Sequence, residues 1–199
     1  MKVSLTSTQF GLSRPVQLRT GLRIRRRPHA RVSSLHQRSL SRLTQIRLRR
    51  SITALTEQIQ TCPSVSLYNQ RGNLYAILGQ YSDALTDYDE ALCLNPEDIS
   101  TYINQGMIFR LLGEFELAIT SFDYALMLSE QRKLKPALLK AHAYAESGLA
   151  RHQMGDWNLA AGHYRRALDL IEADQSAEAE AVRRRVYARL ASMGIFPDA

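Results

Sequence analysis

The chain has 199 residues, enough for one sizeable core, and a formal net charge of +7 that is unevenly divided. Residues 1–50 hold Lys2 and twelve arginines without an acid, whereas the remainder sets thirteen bases against all nineteen acids, so a segment of +13 precedes a body of −6. Cys62 and Cys93 are too few for a disulfide framework and too far apart for a metal-ligand pair; a reducing compartment, with the cytoplasm first, is the expectation. No run approaches the roughly 18 apolar residues of a bilayer span, and no secretory apolar core opens the chain.

Residues 1–32 are predicted to be a disordered basic tail, because Gly11, Pro15, Gly21 and Pro28 interrupt it and Arg23-Ile24-Arg25-Arg26-Arg27 concentrates like charge. Three readings fit this composition: a transit peptide for a plastid or mitochondrion, an arm binding RNA, the ribosome or another polyanion through Arg23, Arg25, Arg26, Arg27 and Arg31, or an extension without a specific partner. Residues 33–64 follow as a capping helix, in which Leu40, Leu43, Ile52, Leu55 and Ile59 form an apolar stripe that ends before Pro63.

From Val65 onward the chain repeats itself. Tyr68, Gly72, Tyr75, Gly79, Tyr81, Ala84, Tyr88 and Ala91 recur 34 residues later as Tyr102, Gly106, Phe109, Gly113, Phe115, Ala118, Phe122 and Ala125. A third unit shows Tyr144, Gly148, Gly155, Trp157, Ala160, Tyr164 and Ala167, with Arg151 in place of an aromatic. Stripes at three- and four-residue spacing make each unit a pair of helices, with turns at Gly79, Gly113 and Gly155. Gly72, Gly106 and Gly148, with Ala84, Ala118 and Ala160, are expected to let paired backbones approach, and Tyr88, Phe122 and Tyr164 to fill the space between units. Pro96 stops the first unit. Residues 131–138 lengthen the second step to 42 residues, and are expected to extend the flanking helices by about two turns, with Pro136 near a helix start. A final helix within 173–195, capped by Asp174 and Ser176 and ended by Gly194, should place Ala179, Val182, Val186, Leu190 and Met193 on the third unit and leave Arg183, Arg184, Arg185 and Arg189 facing water or a partner.

This pattern of aromatic, Gly, Tyr, Ala, aromatic, Ala and Pro resembles the tetratricopeptide repeat family over residues 65–172, in units 65–98, 99–132 and 141–172; Glu130 replaces the proline of the second unit. The resemblance implies an all-α solenoid of three helix hairpins with flanking capping helices. It also implies a scaffold or adaptor that binds an extended peptide or a helix of a partner protein, in the course of assembling a larger complex. In this family the first helix of each unit lines a groove. The groove residues implied here are Asn69, Asn73 and Ile77, then Ile103, Asn104, Met107, Arg110 and Leu111, then His142, Glu146 and Leu149. Some members hold the C-terminal carboxylate of heat-shock chaperones with Lys and Asn, then Asn, then Lys and Arg. Asn73 and Asn104 match the two asparagines, but Asn69, His142 and Glu146 stand where the cations should be, so that clamp is disfavoured.

Nothing in the residues assembles a catalytic set. The five histidines lack the spacing of a metalloprotease motif, no phosphate-cradling glycine loop or nucleophile elbow occurs, and His142 and His152 are ten residues apart. The chain is therefore read as a non-enzyme, with no metal, no cofactor and no small-molecule substrate.

Overall fold

The computed structural model describes residues 40–131 and 137–195; the tail, with Arg23, Arg25, Arg26, Arg27 and Arg31, and the segment around Pro136 lie outside the described residues. Within them the chain forms eight helices and no strand: α1 Arg42–Thr61, α2 Val65–Ile77, α3 Tyr81–Leu94, α4 Ile99–Leu112, α5 Phe115–Gln131, α6 Ala137–Met154, α7 Trp157–Leu170 and α8 Ala177–Ser192. They pair as the hairpins α2–α3, α4–α5 and α6–α7, each packed on the next, with α1 against α2 and α8 against both α6 and α7. This is the all-α solenoid with capping helices expected from the repeat.

Short-range chemistry sets the helix ends. Ser64 and Asp98 accept hydrogen bonds from the N–H groups of Leu67 and Thr101, at 3.3 and 2.9 Å, and Ser176 accepts from Ala179 at 3.2 Å. At Gly113 the backbone turns left-handed, φ 80°, and Glu114 N–H reaches back to the Phe109 carbonyl at 2.9 Å. That six-to-one bond closes a Schellman motif, which a side chain at Gly113 would strain. The same turn recurs at Gly79 and Gly155. The lengthened period shows in the helices themselves: α5 has 17 residues against 14 in α3, and α6 has 18 against 14 in α4.

The core follows the period. Tyr88, Phe122 and Tyr164 are almost fully buried, and each ring lies on the glycine of its own hairpin; Tyr88 and Phe122 also belong to a core cluster that runs across units. A Cβ on Gly106 would stand 2.7 Å from Phe122 Cε1, and one on Gly72 the same distance from Tyr88 Cε1. The glycines therefore make room for a ring, and at Gly148 also for the backbone of the paired helix, since a Cβ there would stand 3.3 Å from the Ala160 carbonyl oxygen. Burying such a ring contributes about 3–5 kcal/mol.

Polar contacts tie helix to helix. Arg71 forms a bidentate pair with Asp87, at 2.6 and 2.9 Å, and donates to Thr56 Oγ1 at 3.0 Å, joining α1, α2 and α3. Between units, Gln105 donates to Asp89 at 2.9 Å and Arg151 pairs with Asp123 at 3.2 Å; the two acids are one period apart. The N-terminal half of α1 is less engaged: Leu43 is 70% exposed and Ile46 42%.

Candidate functional site

The first helices of successive hairpins, α2, α4 and α6, lie side by side, and α8 leans over the last of them. Between α4, α6 and α8 lies a pocket of about 620 Å³, lined by Ser100, Ile103, Asn104, Leu138, Leu139, His142, Ala181, Val182 and Arg185. Glu178 also lines it, and the lining thus mixes apolar side chains with amide, imidazole and charged ones, a combination that suits a segment with alternating side chains. Burial among these walls lowers the His142 pKa, an effect that Glu146 opposes and Arg185 reinforces. A second recess, of about 360 Å³, continues along the same face between Met107, Arg110, Glu146, Leu149, Tyr164, Arg185 and Arg189.

The eleven residues implied for the groove fall into three sets. Ile103, Asn104 and His142 meet in the larger pocket, and Met107, Arg110, Glu146 and Leu149 meet in the smaller recess. Asn69, Asn73, Ile77 and Leu111 line neither. Asn69 is held at the seam between units, where its Nδ2 donates to Thr101 Oγ1 at 2.7 Å and to Asp98 Oδ2 at 3.3 Å. The carbonyl oxygen of Asn73 accepts the Tyr88 hydroxyl at 2.7 Å. Ile77 is 45% exposed at the end of α2, and Leu111 packs on the core.

Sequence reasoning missed the part played by α8. Arg183 and Arg185 do not simply face water. Arg183 donates to the carbonyls of Ile171, at 2.8 Å, and Asp174, where α7 ends, and pairs with Glu180 at 2.7 Å. Arg185 Nη1 stands 3.5 Å from Glu146 Oε1, while Arg110 Nη2 stands 3.1 Å from Glu146 Oε2. Glu146 is therefore a buried carboxylate between two guanidiniums, not the bare negative charge that its place in the repeat suggests. The signal available in the sequence was the cluster Arg183-Arg184-Arg185, but nothing local indicates which arginine turns inward.

Among the described residues no group of His, Cys, Asp and Glu is arranged to hold a metal ion, and no helix is long and apolar enough to cross a membrane. Cys62 and Cys93 are both exposed thiols. His152 and His163 lie against rings: His152 meets Trp157 at a tilt, 4.8 Å between centroids, and His163 meets Tyr144 edge-on at 5.5 Å.

A stack of helix hairpins with ring-on-glycine packing and pockets along its first helices defines a helical repeat protein. Tetratricopeptide repeat patterns match residues 65–98, 99–132 and 143–178, together just over half of the chain. The chain belongs to the tetratricopeptide repeat family, whose repeats are protein-interaction modules. No curated protein matches it in sequence. Solved structures share its fold. A tetratricopeptide repeat protein from Parabacteroides merdae is 19% identical over 83% of this chain and 59% of its own, with a TM-score of 0.60. The Arabidopsis OM64 repeat domain is 24% identical, covering 63% of this chain and 96% of its own, at 0.50. The first repeat domain of Spaghetti (RPAP3), solved with the HSP90 peptide SRMEEVD, is 23% identical over 64% and 94%, also at 0.50.

Proposed function

We propose that the chain is a scaffold that holds an extended or helical segment of a partner protein along α4 and α6, against α8, during the assembly of a larger complex. The observation that carries this reading is the pocket of about 620 Å³, in which Ile103, Leu138 and Val182 offer apolar contacts and Asn104 and His142 hydrogen-bonding groups. Asn amides can grip a main chain through both donor and acceptor. The repeat domain of Spaghetti (RPAP3) supports the reading by analogy, since it was solved with a peptide. The chaperone-tail clamp stays disfavoured, because Asn69 is engaged at the seam and His142 supplies no strong cation.

The test is affinity capture with the full chain as bait. Asn104→Trp, which fills the pocket from a half-buried position, should lose the partners that the wild type holds. Leu159→Asp, at a position 53% exposed and away from the pocket, should keep them. Equal capture by all three baits would refute the groove reading.

A second reading rests on charge. The basic segment continues into α1, where Arg42, Arg47, Arg49 and Arg50 are exposed beside Leu43 and Ile46. In this alternative the chain is anchored to RNA or the ribosome by its basic tail, residues 1–32, while the repeats recruit. RNA binding should then weaken steeply between about 50 and 200 mM salt and disappear when residues 1–32 are removed; unchanged binding after that deletion would exclude the arm. A mature form that begins near residues 30–50 would instead point to import into a plastid or mitochondrion, whereas an intact Met1 would fit a cytoplasmic protein.

A further inference from the structure

The three hairpins carry the same aromatic at the same place, yet its polar end meets three different fates. In the first, Tyr88 donates to Asn73 at 2.7 Å. In the second the ring is Phe122, and Met107 occupies the position that Asn73 holds one period earlier, so no polar group needs a partner. In the third the ring is Tyr164, but the equivalent of Asn73 is Leu149, which can accept nothing. Tyr164 is 1% exposed, and its hydroxyl has no hydrogen-bond partner among the described residues. An orphaned buried donor is costly, and native proteins rarely leave one without a reason.

The recess around that hydroxyl is built from charge. Arg110, Arg185 and Arg189 line it against the single carboxylate of Glu146, leaving a formal surplus of two positive charges. Glu146 holds Arg110 and Arg185 in place from either side, and Arg110 Nε is itself buried without a hydrogen-bond partner among the described residues. Burial keeps the Tyr164 proton on, with a pKa raised to about 12, so the hydroxyl remains a donor. Met107, Leu149 and Val186 supply apolar wall between these donors. At about 360 Å³ the recess admits a side chain with its stem.

We infer that this recess receives the carboxylate of an acidic side chain, Asp or Glu, on the segment that occupies the groove; the inference rests on the groove reading above. The carboxylate accepts from Tyr164 Oη and Arg110 Nε, Arg185 and Arg189 balance its charge, and its methylene stem lies on Met107 and Leu149. A chain terminus fits less well. Its carboxylate carries a backbone N–H beside it that competes for Glu146, whose two oxygens are already ion-paired with Arg110 and Arg185, although Oε2 makes no hydrogen bond among the described residues.

The experiment selects random peptides on the full chain, displayed with their C-termini fused so that no terminal carboxylate is present. A parallel library carries free C-termini. Selected sequences should share one Asp or Glu at a fixed register in both libraries. A synthetic, end-capped peptide of this kind should bind about tenfold more tightly than its Gln counterpart. Tyr164→Phe should remove about tenfold from the acidic peptide and clearly less from the Gln peptide, whose amide oxygen accepts a weaker, uncharged hydrogen bond. Its folding is protected by the precedent of Phe122 in the second hairpin, and Arg185→Gln, at an exposed position, gives an independent variant with the same expected selectivity. Selected peptides without a shared acid, still displaced by Asn104→Trp, would overturn the recess while leaving the groove reading intact. Selection only from the free-terminus library would replace the side chain by a chain end and overturn the proposal. No selected peptide in either library would end both readings.

Discussion

The first and third hairpins are built on one plan and spend their polar groups differently. In the first, nearly every polar side chain near the core is closed on another: Arg71 on Asp87 and Thr56, Asn73 on Tyr88, Asn69 on Thr101 and Asp98. In the third, Tyr164 and Glu146, together with Arg110 of the second, line a recess that α8 walls but does not fill. Apart from the Tyr81 hydroxyl, which has no partner among the described residues, the first end of the stack closes its polar groups on one another, whereas the other gathers several unpartnered ones in a single recess. The repeat pattern dictates the shared scaffold, while the residues between its fixed positions decide which face carries chemistry.

The largest expected effect removes what all three hairpins share. Phe122→Ala empties a fully buried ring site over Gly106, and should cost about 3–5 kcal/mol in urea denaturation. The next effect is confined to the closed end. Asp87 is 3% exposed and Arg71 16%, so Asp87→Ala strands a guanidinium that can reach only a little water, at a cost of about 2–3 kcal/mol. Loss of less than 1 kcal/mol on either change would mean that the helices pack without the contacts described.

An exchange sharpens the comparison further. Asn73→Leu gives the first hairpin the orphaned hydroxyl of the third, and should destabilise the chain by about 1–2 kcal/mol. The added change Tyr88→Phe should recover most of that loss, since it removes the orphan. Leu149→Asn makes the opposite move, giving Tyr164 a partner and stabilising the unliganded chain by about 1 kcal/mol. If both single changes shift the unfolding midpoint in the same direction, the contrast between Tyr88 and Tyr164 does not hold.

The fold was legible because it is periodic. Gly113 and its two counterparts mark the turns, Ser176 the start of α8, and the recurrence of Tyr88 as Phe122 and Tyr164 the buried rings. The contrast between the hairpins was also present, in the series Asn73, Met107, Leu149 beside Tyr88, Phe122, Tyr164, but it shows only when two positions fifteen residues apart are compared as a pair. The Glu146 network was not legible. Arg110, Glu146 and Arg185 lie on three helices, and their meeting depends on how far α8 leans over α6, which no local pattern encodes. Asn69 was misleading for a related reason: the family position points to the groove, but Thr101 and Asp98 of the next unit capture its amide.

The smallest effect also belongs to the third hairpin. His163 has its pKa lowered to about 4 by burial, with Arg151 and Arg166 adding positive charge, while an unfolded chain titrates it near 6.5. Between those values the unfolded state binds more protons than the folded one, so stability is whole above about pH 6.5 and declines as pH falls toward 4. The ring is only half-buried, and solvent screening reduces the full linkage to about 1 kcal/mol. His163→Phe retains an aromatic against Tyr144 and removes the titration. The difference in unfolding free energy between wild type and variant should therefore be constant above pH 6.5 and move by about 1 kcal/mol in favour of the variant by pH 4.5. No equivalent slope is expected from the first hairpin, which contains no histidine, so a variant curve parallel to wild type would place the acid sensitivity elsewhere, with His142 the next group to test.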